Sequence, residues 1–377
     1  MLDNENVLVE PIVAQESTRL NLPEGVPPLT SLYLYIAGSC NLACKHCWII
    51  PKFQPDGVGG AYLKLEYVEK AIREGKPLGL RSIKLTGGEP MLHPQFRQLV
   101  TLIDDAGLDI TIETNGTLVD SDTAKFLKSR SHVSFMSVSL DGATAEVHEA
   151  LRMVAGSYMR ALDGIKALIQ VGFRPQVIFT LHQGNVSEMA DIVALANQLG
   201  CGSVKFNHVQ SIGRGENFAE QQGLEMDEIL QLYCYLEKEI IPNSHIPVFF
   251  DVPYAFFSLR KLLNDHLGRC TVQNILGILA GGELSLCGIG TTVPELIYGN
   301  IEKDELEDVW NNSVGLRKLR ELIPSQLEGI CEKCLHRDMC QGECVANNYH
   351  VAGKLNAPYY FCDRAEEQGL FPVARKK

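Results

Sequence analysis

The chain has 377 residues, 45% of them apolar, and 34 lysines and arginines set against 46 aspartates and glutamates give a net charge of −12. That length fits two or three ordinary domains or one barrel with an appendage, and the apolar share is ample for a large core. The acidic balance argues against a nucleic-acid partner and against an anionic membrane surface. No apolar run reaches the length of a membrane span, and the opening residues Met1-Leu2-Asp3-Asn4-Glu5-Asn6 lack the basic and apolar regions of a secretory signal.

Residues 1–30, with Pro23, Pro27 and Pro28, read as an extended arm with room for one short strand. Apolar, β-branched runs then recur at Leu32–Ile36, Ile83–Leu85, Ile110–Ile112, Phe135–Leu140, Val177–Leu181 and Val204–Val209. Each is followed by a segment of helical period. Residues 187–199 place Met189, Ile192, Val193, Ala196 and Leu199 on one face, and residues 226–241 do the same with Ile229, Leu232, Tyr233, Leu236 and Ile240. Six strand–helix units in succession predict parallel pairing through right-handed crossovers. In such sheets function collects at the carboxyl ends of the strands.

The loop after the first strand carries Cys40, Cys44 and Cys47, three thiols in eight residues with no obvious fourth ligand. A structural zinc site is the competing reading, but zinc prefers a closed set of four and His46 sits too close to Cys47 to complete it. Three thiolates suit a [4Fe–4S] cluster with one iron left open for chemistry. The chain holds twelve cysteines; without a secretory signal they indicate the reducing cytoplasm, where thiols bind metal rather than pair. Seven more fall near the end: Cys270, Cys287, Cys331, Cys334, Cys340, Cys344 and Cys362.

Other strand ends carry Thr86-Gly87-Gly88-Glu89-Pro90, Glu113-Thr114-Asn115-Gly116 and Ser139-Leu140-Asp141-Gly142. Two glycines permit close backbone approach to a ligand, with Glu89 nearby as a carboxylate. Asn-Gly and Asp-Gly are, taken singly, ordinary turn formers. Cys201 and Cys234 read as core packing, since free cysteine is among the most buried residue types. His182 and His208 near strand ends are substrate contacts or satisfied loop histidines. Gly213-Arg214-Gly215 is weak as a nucleotide signal. The stretch Asn300 to Trp310, with Tyr349, Tyr359, Tyr360 and Phe361, reads as packing around metal clusters.

The run Cys40-x3-Cys44-x2-Cys47 with Gly87-Gly88-Glu89-Pro90 resembles the radical S-adenosylmethionine (SAM) superfamily. The tail, Cys270-x11-Gly282-x4-Cys287, then Cys331-x2-Cys334-x5-Cys340-x3-Cys344 and Cys362, resembles the SPASM extension of one branch. The resemblance implies an α/β fold: a partial (β/α)6 TIM-like barrel over residues 31–245, after the arm 1–30, and a SPASM domain binding auxiliary clusters over residues 246–377. It implies that Cys40, Cys44 and Cys47 hold a [4Fe–4S] cluster whose open iron chelates SAM. Gly87, Gly88 and Glu89 would contact the methionine amino group, His46 would lie near adenine, and Ser139 near the ribose or methionine part. Asn115 and Arg152 are further cofactor candidates, although Arg152 reads equally as a solvated helix residue. Members split SAM reductively to a 5′-deoxyadenosyl radical that takes hydrogen from a substrate, the cofactors carrying the hard chemistry. A low-potential donor such as ferredoxin or flavodoxin would supply the electron.

The resemblance further implies one auxiliary [4Fe–4S] cluster on Cys331, Cys334, Cys340 and Cys362, and another on Cys270, Cys287 and Cys344. That second set shows three cysteines. Either it stays open to substrate, the favoured reading, or a residue of the stretch holding Asn264, Asp265, His266 and Arg269 completes it (Asp265 or His266), or the cluster is absent. Gly288 stands where sulfatase-maturing relatives carry an aspartate base, which argues against formylglycine formation. The expected substrate is a ribosomally made peptide, cross-linked through a thioether or carbon–carbon bond. The arm is too short for a leader-binding domain, so a separate leader-binding protein, or none, is expected. The alternatives are a small molecule such as a tetrapyrrole, and a non-catalytic electron carrier.

Overall fold

The computed structural model describes residues 20–55, 59–264 and 270–377. Most of the arm lies outside these residues, as do the side chain of Asn264 and all of Asp265, His266 and Arg269. The six apolar runs form β1 Ser31–Ala37, β2 Ser82–Gly87, β3 Asp109–Thr114, β4 Val133–Ser139, β5 Gln176–Leu181 and β6 Ser203–His208. Each pairs in parallel with the next. Between them run α1 Leu65–Gly75, α2 Phe96–Asp105, α3 Ser121–Lys128, α4 Ala145–Arg152, α5 Ser157–Gln170 and α6 Met189–Leu199. This is the expected α/β architecture of parallel strands wrapped by helices.

Alternation along each strand separates two environments. Leu32, Leu34, Ile36, Ile83, Leu85, Ile110, Ile112, Val177, Phe179, Val204 and Phe206 are completely buried and join one core with Val68, Leu99, Ile103, Leu127, Ile165, Leu168 and Ile192 of the helices. Each such side chain stabilises the fold by about 1.5–3 kcal/mol relative to exposure. The intervening residues point to the inner wall: Tyr33 and Tyr35 on β1, Lys84 and Thr86 on β2, Thr111 and Glu113 on β3, Phe135 and Ser137 on β4, Lys205 and Asn207 on β6. A filled barrel would carry branched aliphatics there; this wall is polar and aromatic apart from Ile178 on β5.

The sheet extends beyond six strands. β7 Val248–Phe250 pairs in parallel with β6, and β8 Ile275–Ile278 pairs in parallel with β1. β9 Glu283–Ser285 and β10 Ile297–Asn300 add an antiparallel meander, so ten strands run in the order β10-β9-β8-β1-β2-β3-β4-β5-β6-β7. The remaining tail is short helices: Leu306–Asn312 packs against α1, while Tyr360 and Asn347 reach His208 and Gln210 at the end of β6. Trp310 is buried, and its indole N–H donates to the carbonyl of Pro27 at 2.9 Å, tying the tail to the end of the arm.

The helix expected over 226–241 is α-helical as α7 Met226–Tyr235, opened by a capping box of Glu225 and Glu228. It continues as a π-helical turn over Leu236–Ile240. Of the expected face, Ile229, Tyr233, Leu236 and Ile240 are buried and Leu232 is half-buried against the core, but Cys234 is exposed rather than packed. Cys201 is fully buried. No helix among the described residues is long and apolar enough to cross a membrane.

Candidate active site

The chain leaves β1 through Ser39–Cys40, which pairs in parallel with Lys52–Phe53 and closes the base of the cysteine loop. The amides of Ala43 and Lys45 donate to the carbonyls of Arg152 and Leu151, at 3.3 and 3.0 Å. Those carbonyls belong to the last turn of α4, where intrahelical partners run out. Three N–H groups point at the sulfurs: Leu42 N and Asn115 Nδ2 reach Cys40 Sγ at 3.4 and 3.8 Å, and Arg152 Nη1 reaches Cys44 Sγ at 3.5 Å.

Burial, reinforced by the neighbouring charges of Glu89 and Cys44, pushes the Cys40 thiol up to about 12. Burial raises the Cys44 thiol as well, against the pull of the Arg152 charge. Such thiols keep their protons until a metal displaces them, and thiolates are what a cluster binds. The donors aimed at the sulfurs fit that anionic state. Among the described residues no three His, Cys, Asp or Glu side chains converge on a point as they would around a single ion.

The Gly87–Gly88 turn packs directly on this loop. Gly87 adopts φ +133°, and a side chain at Gly88 would collide with the Ser39 carbonyl. A cavity of about 340 Å³ opens beside it, bounded by Tyr35, Gly87, Gly88, Ile50, Pro51 and the β8–β9 hairpin. Glu89 is fully buried, with its carboxylate accepting from Thr114 Oγ1 at 2.7 Å, Asn115 N at 2.8 Å and Met91 N at 3.2 Å. Burial outweighs these donors and pushes its pKa up to about 7. The side chain of Asn115 donates to Asn41 Oδ1 at 2.9 Å and accepts from Thr117 Oγ1 at 2.7 Å, while Asn41 donates to Thr117 Oγ1 at 2.8 Å. The ends of β2 and β3 are thereby laced to the cysteine loop.

Arg152 is buried, not solvated. It pairs with Asp141 Oδ2 at 2.5 Å, and Asp141 in turn accepts from Thr180 N at 2.7 Å. The guanidinium holds the Asp141 carboxyl below the usual carboxylate range despite its burial. The ordinary-turn reading of Asp141-Gly142 missed this buried anion. Only its position at a strand end, eleven residues before an arginine, hinted at it. His46 is half-buried with Nδ1 unpartnered, and burial pushes its pKa down to about 3, so its ring is neutral. Ser139 lies on the inner wall beside Ile178. His182 is buried beneath the Phe218 ring and accepts from Gly184 N at 3.0 Å, and His208 meets Tyr360 OH at 2.9 Å. The amide of Arg214 donates to the Cys47 carbonyl at 3.0 Å, so the Gly213–Gly215 stretch supports the cysteine loop by its backbone.

The seven tail cysteines separate into two neighbourhoods. Cys331, Cys334, Cys340 and Cys362 line one cavity with Pro253, Ile330 and Phe371. Burial and then the charges of Cys331, Cys340 and Cys334 hold the Cys362 thiol well above its ordinary value. The amides of Tyr359 and His336 point at the sulfurs of Cys331 and Cys334, each at 3.3 Å. In the other neighbourhood, burial and then the charge of Cys287 push Cys270 up to about 12. Cys287 feels Cys344 in the same way, and Cys344 feels Cys270. The resemblance to the SPASM extension implies the same two groups. Glu343, which sequence reasoning passed over, is half-buried between the two sets in a left-handed backbone conformation at φ +54°, 3.6 Å from Cys340.

Residues 34–198 match the model of the radical SAM superfamily, and residues 270–335 match that of the SPASM iron–sulfur cluster-binding domain. The chain is a radical SAM protein with a SPASM domain. Cys340, Cys344 and Cys362 lie beyond the second matched stretch. The radical SAM protein is similar to an AdoMet-dependent heme synthase of Methanosarcina barkeri, at 27% identity over 87% of this chain and 94% of that one. It is similar to the mycofactocin maturase MftC of Mycobacterium ulcerans, at 28% identity over 85% of this chain and 84% of that one. In fold it resembles Streptococcus suis SuiB, solved with its precursor peptide SuiA, with a TM-score of 0.71 at 16% identity over 89% of this chain and 76% of that one. The cofactors of this radical SAM protein are accordingly SAM, the [4Fe–4S] cluster that binds it, and iron–sulfur clusters in the SPASM domain.

Proposed function

We propose that this radical SAM enzyme acts on a ribosomally made peptide, joining its side chains through a thioether or carbon–carbon bond. The observation that carries the reading is the separation of ten cysteines into three groups, one of them a three-thiol loop at the carboxyl end of β1 with Cys40 and Cys44 buried and Cys47 half-buried. The maturase relative supports the peptide. Cys40, Cys44 and Cys47 would hold the SAM-binding cluster, with Gly87, Gly88, Glu89, His46, Asn115, Ser139 and Arg152 around the cofactor. When bound, the cluster and SAM supply reductive cleavage and hydrogen abstraction. The chain's own part is to orient and exclude. Asn115 and Arg152 donate to the sulfurs that would become thiolates, charge-assisted bonds stronger than neutral ones. The Arg152–Asp141 pair fixes the end of α4 that holds the loop's amides. Residues 31–245 would form the barrel and 246–377 the auxiliary-cluster domain. The enzyme would work in the cytoplasm with ferredoxin or flavodoxin as donor and a separate leader-binding protein.

A second reading, a tetrapyrrole substrate, is favoured by the heme synthase relative. One experiment separates the two. Anaerobically reconstituted protein is incubated with SAM and a strong reductant, with either a peptide encoded beside the gene or an iron tetrapyrrole, and the products are read by mass spectrometry. 5′-Deoxyadenosine from the intact enzyme, but not from Cys44→Ala, is expected, with a peptide lighter by two hydrogens. No 5′-deoxyadenosine from the intact enzyme overturns both readings; a changed tetrapyrrole with an unchanged peptide overturns the first.

A further inference from the structure

The inner wall of the sheet carries a cation without a bonded counter-ion. Lys205 stands in the middle of β6, in register between Ile178 of β5 and Phe249 of β7. Its neighbours Val204 and Phe206 point into the core, so its side chain is on the inner wall, where it is half-buried. Among the described residues no hydrogen bond or ion pair reaches its ammonium. The contrast is Lys84 on the same wall, bonded to Glu113 at 2.9 Å and seated 4.3 Å from the centre of the Tyr33 ring.

Three acids feel the charge of Lys205: Glu113, Glu343 and the Cys270 thiol of the tail set, and none of them is bonded to it. Glu113 is bonded to Lys84, and Glu343 lies against Cys340 at 3.6 Å. An ammonium within a protein wall is costly unless water or an anion meets it. Beside it stands an unusual surface: Phe249, its partner in register, is 40% exposed, and Phe135, on the same wall, is 41% exposed. Phe249 provides apolar contact directly beside this positive charge, while Phe135 stands lower on the wall, four residues before the Ser139 that is level with Lys205.

Resting on the enzymatic reading above, we propose that Lys205 is a specificity-determining residue that receives a carboxylate of the substrate, the Phe249 ring covering the apolar or aromatic stem that bears it. The carboxylate belongs to a peptide terminus or side chain, or to an acidic small molecule. Lysine offers three donors to such a group, and a charged hydrogen bond in a partly dry site is worth at least a tenfold difference in affinity.

The test uses the full reconstituted chain and calorimetric titration with N-acetylphenylalanine against its carboxamide, then with a tripeptide ending in phenylalanine as free acid and as amide. The acids are expected to bind at least tenfold tighter than the amides. Lys205→Gln is expected to erase that preference, and Lys205→Arg to retain it. Iron content and substrate-free 5′-deoxyadenosine formation in Lys205→Gln should equal those of the unaltered enzyme. A tighter acid arm for the tripeptide points to a peptide carboxylate, a tighter small acid to a small molecule. Equal binding of acid and amide, a preference surviving in Lys205→Gln, or loss of iron from that variant (which would make Lys205 a counter-charge for the clusters) overturns the proposal. Absence of SAM cleavage with the acid preference intact would instead overturn the enzymatic reading and leave the anion site standing.

Discussion

The ring of Tyr35 fills the space that a side chain at position 288 would need. Tyr35 stands on β1 with its hydroxyl at the backbone of Gly288, and burial with the nearby charge of Cys287 raises its pKa well above the ordinary value. Gly288 is therefore more than the absence of an aspartate after Cys287. The base of sulfatase-maturing relatives has no room here, because the barrel's first strand already occupies its place.

Gly288→Asp should consequently displace the Cys287 turn. Overpacking of this kind costs about 1–3 kcal/mol, and the added carboxylate would be buried. A lower melting temperature and a loss of iron from the tail set, with the Cys40–Cys47 set retained, are expected. Adding Tyr35→Ala should restore part of both, the coupling that contacting residues show in a double-mutant cycle. Full iron and unchanged melting in the single variant would contradict the packing.

Arg152 and Asp141 form a buried ion pair, so removing one partner strands the other. Arg152→Met is expected to cost about 3–5 kcal/mol in denaturant titrations, because the Asp141 carboxylate is left without its cation. The double variant Asp141→Asn, Arg152→Met should lose less than the sum of the singles. Strict additivity would mean that the pair does not interact as described.

The ionised side chain of Glu89 accepts from three donors. Glu89→Gln must turn an amide N–H toward one of Thr114, Asn115 or Met91, at a cost of about 1–3 kcal/mol. Because Asn115 also donates toward Cys40, the variant should bind less iron on the first cysteine set, measured as iron per chain after reconstitution. Wild-type iron loading would show that this lacing does not support the loop.

Cys234 is the exposed thiol outside the clustered sets, whereas Cys201 is buried with its pKa pushed up to about 11. Brief alkylation of the reconstituted protein should modify Cys234 first, as peptide mapping would reveal. Cys234→Ser should change stability by less than about 0.5 kcal/mol, as surface substitutions do. Preferential labelling of Cys201 would reverse the assignment.

The strands were legible because period-two alternation and β-branched runs act locally, and the first cysteine set because ligand spacing does too; the division of the tail cysteines came from the family resemblance. Cys234 was misplaced for a geometric reason: it follows the buried Tyr233 by about 100° around the helix, which carries it off the apolar face. Asp141 and Arg152 were obscured because Asp-Gly is a turn signal on its own, and only the packing of α4 under the cysteine loop turns the pair inward. β7 and β8, three and four residues long, are too short for a periodic signal. Their places are set by partners far away in the chain. The contact of Tyr35 with Gly288 likewise joins residues with no relation in sequence.

The pairing of β8 with β1 and of β7 with β6 means that the tail finishes the sheet at both of its sides. Cutting the chain near residue 245 would not yield a smaller enzyme lacking an accessory module. It would bare two strands with unsatisfied amides and carbonyls, each a template for sticking to another copy. Radical-generating and auxiliary halves thus stand or unravel together, and a change that loosens the cysteine-rich tail will be felt at the far end of the molecule as lost solubility before it is felt as lost chemistry.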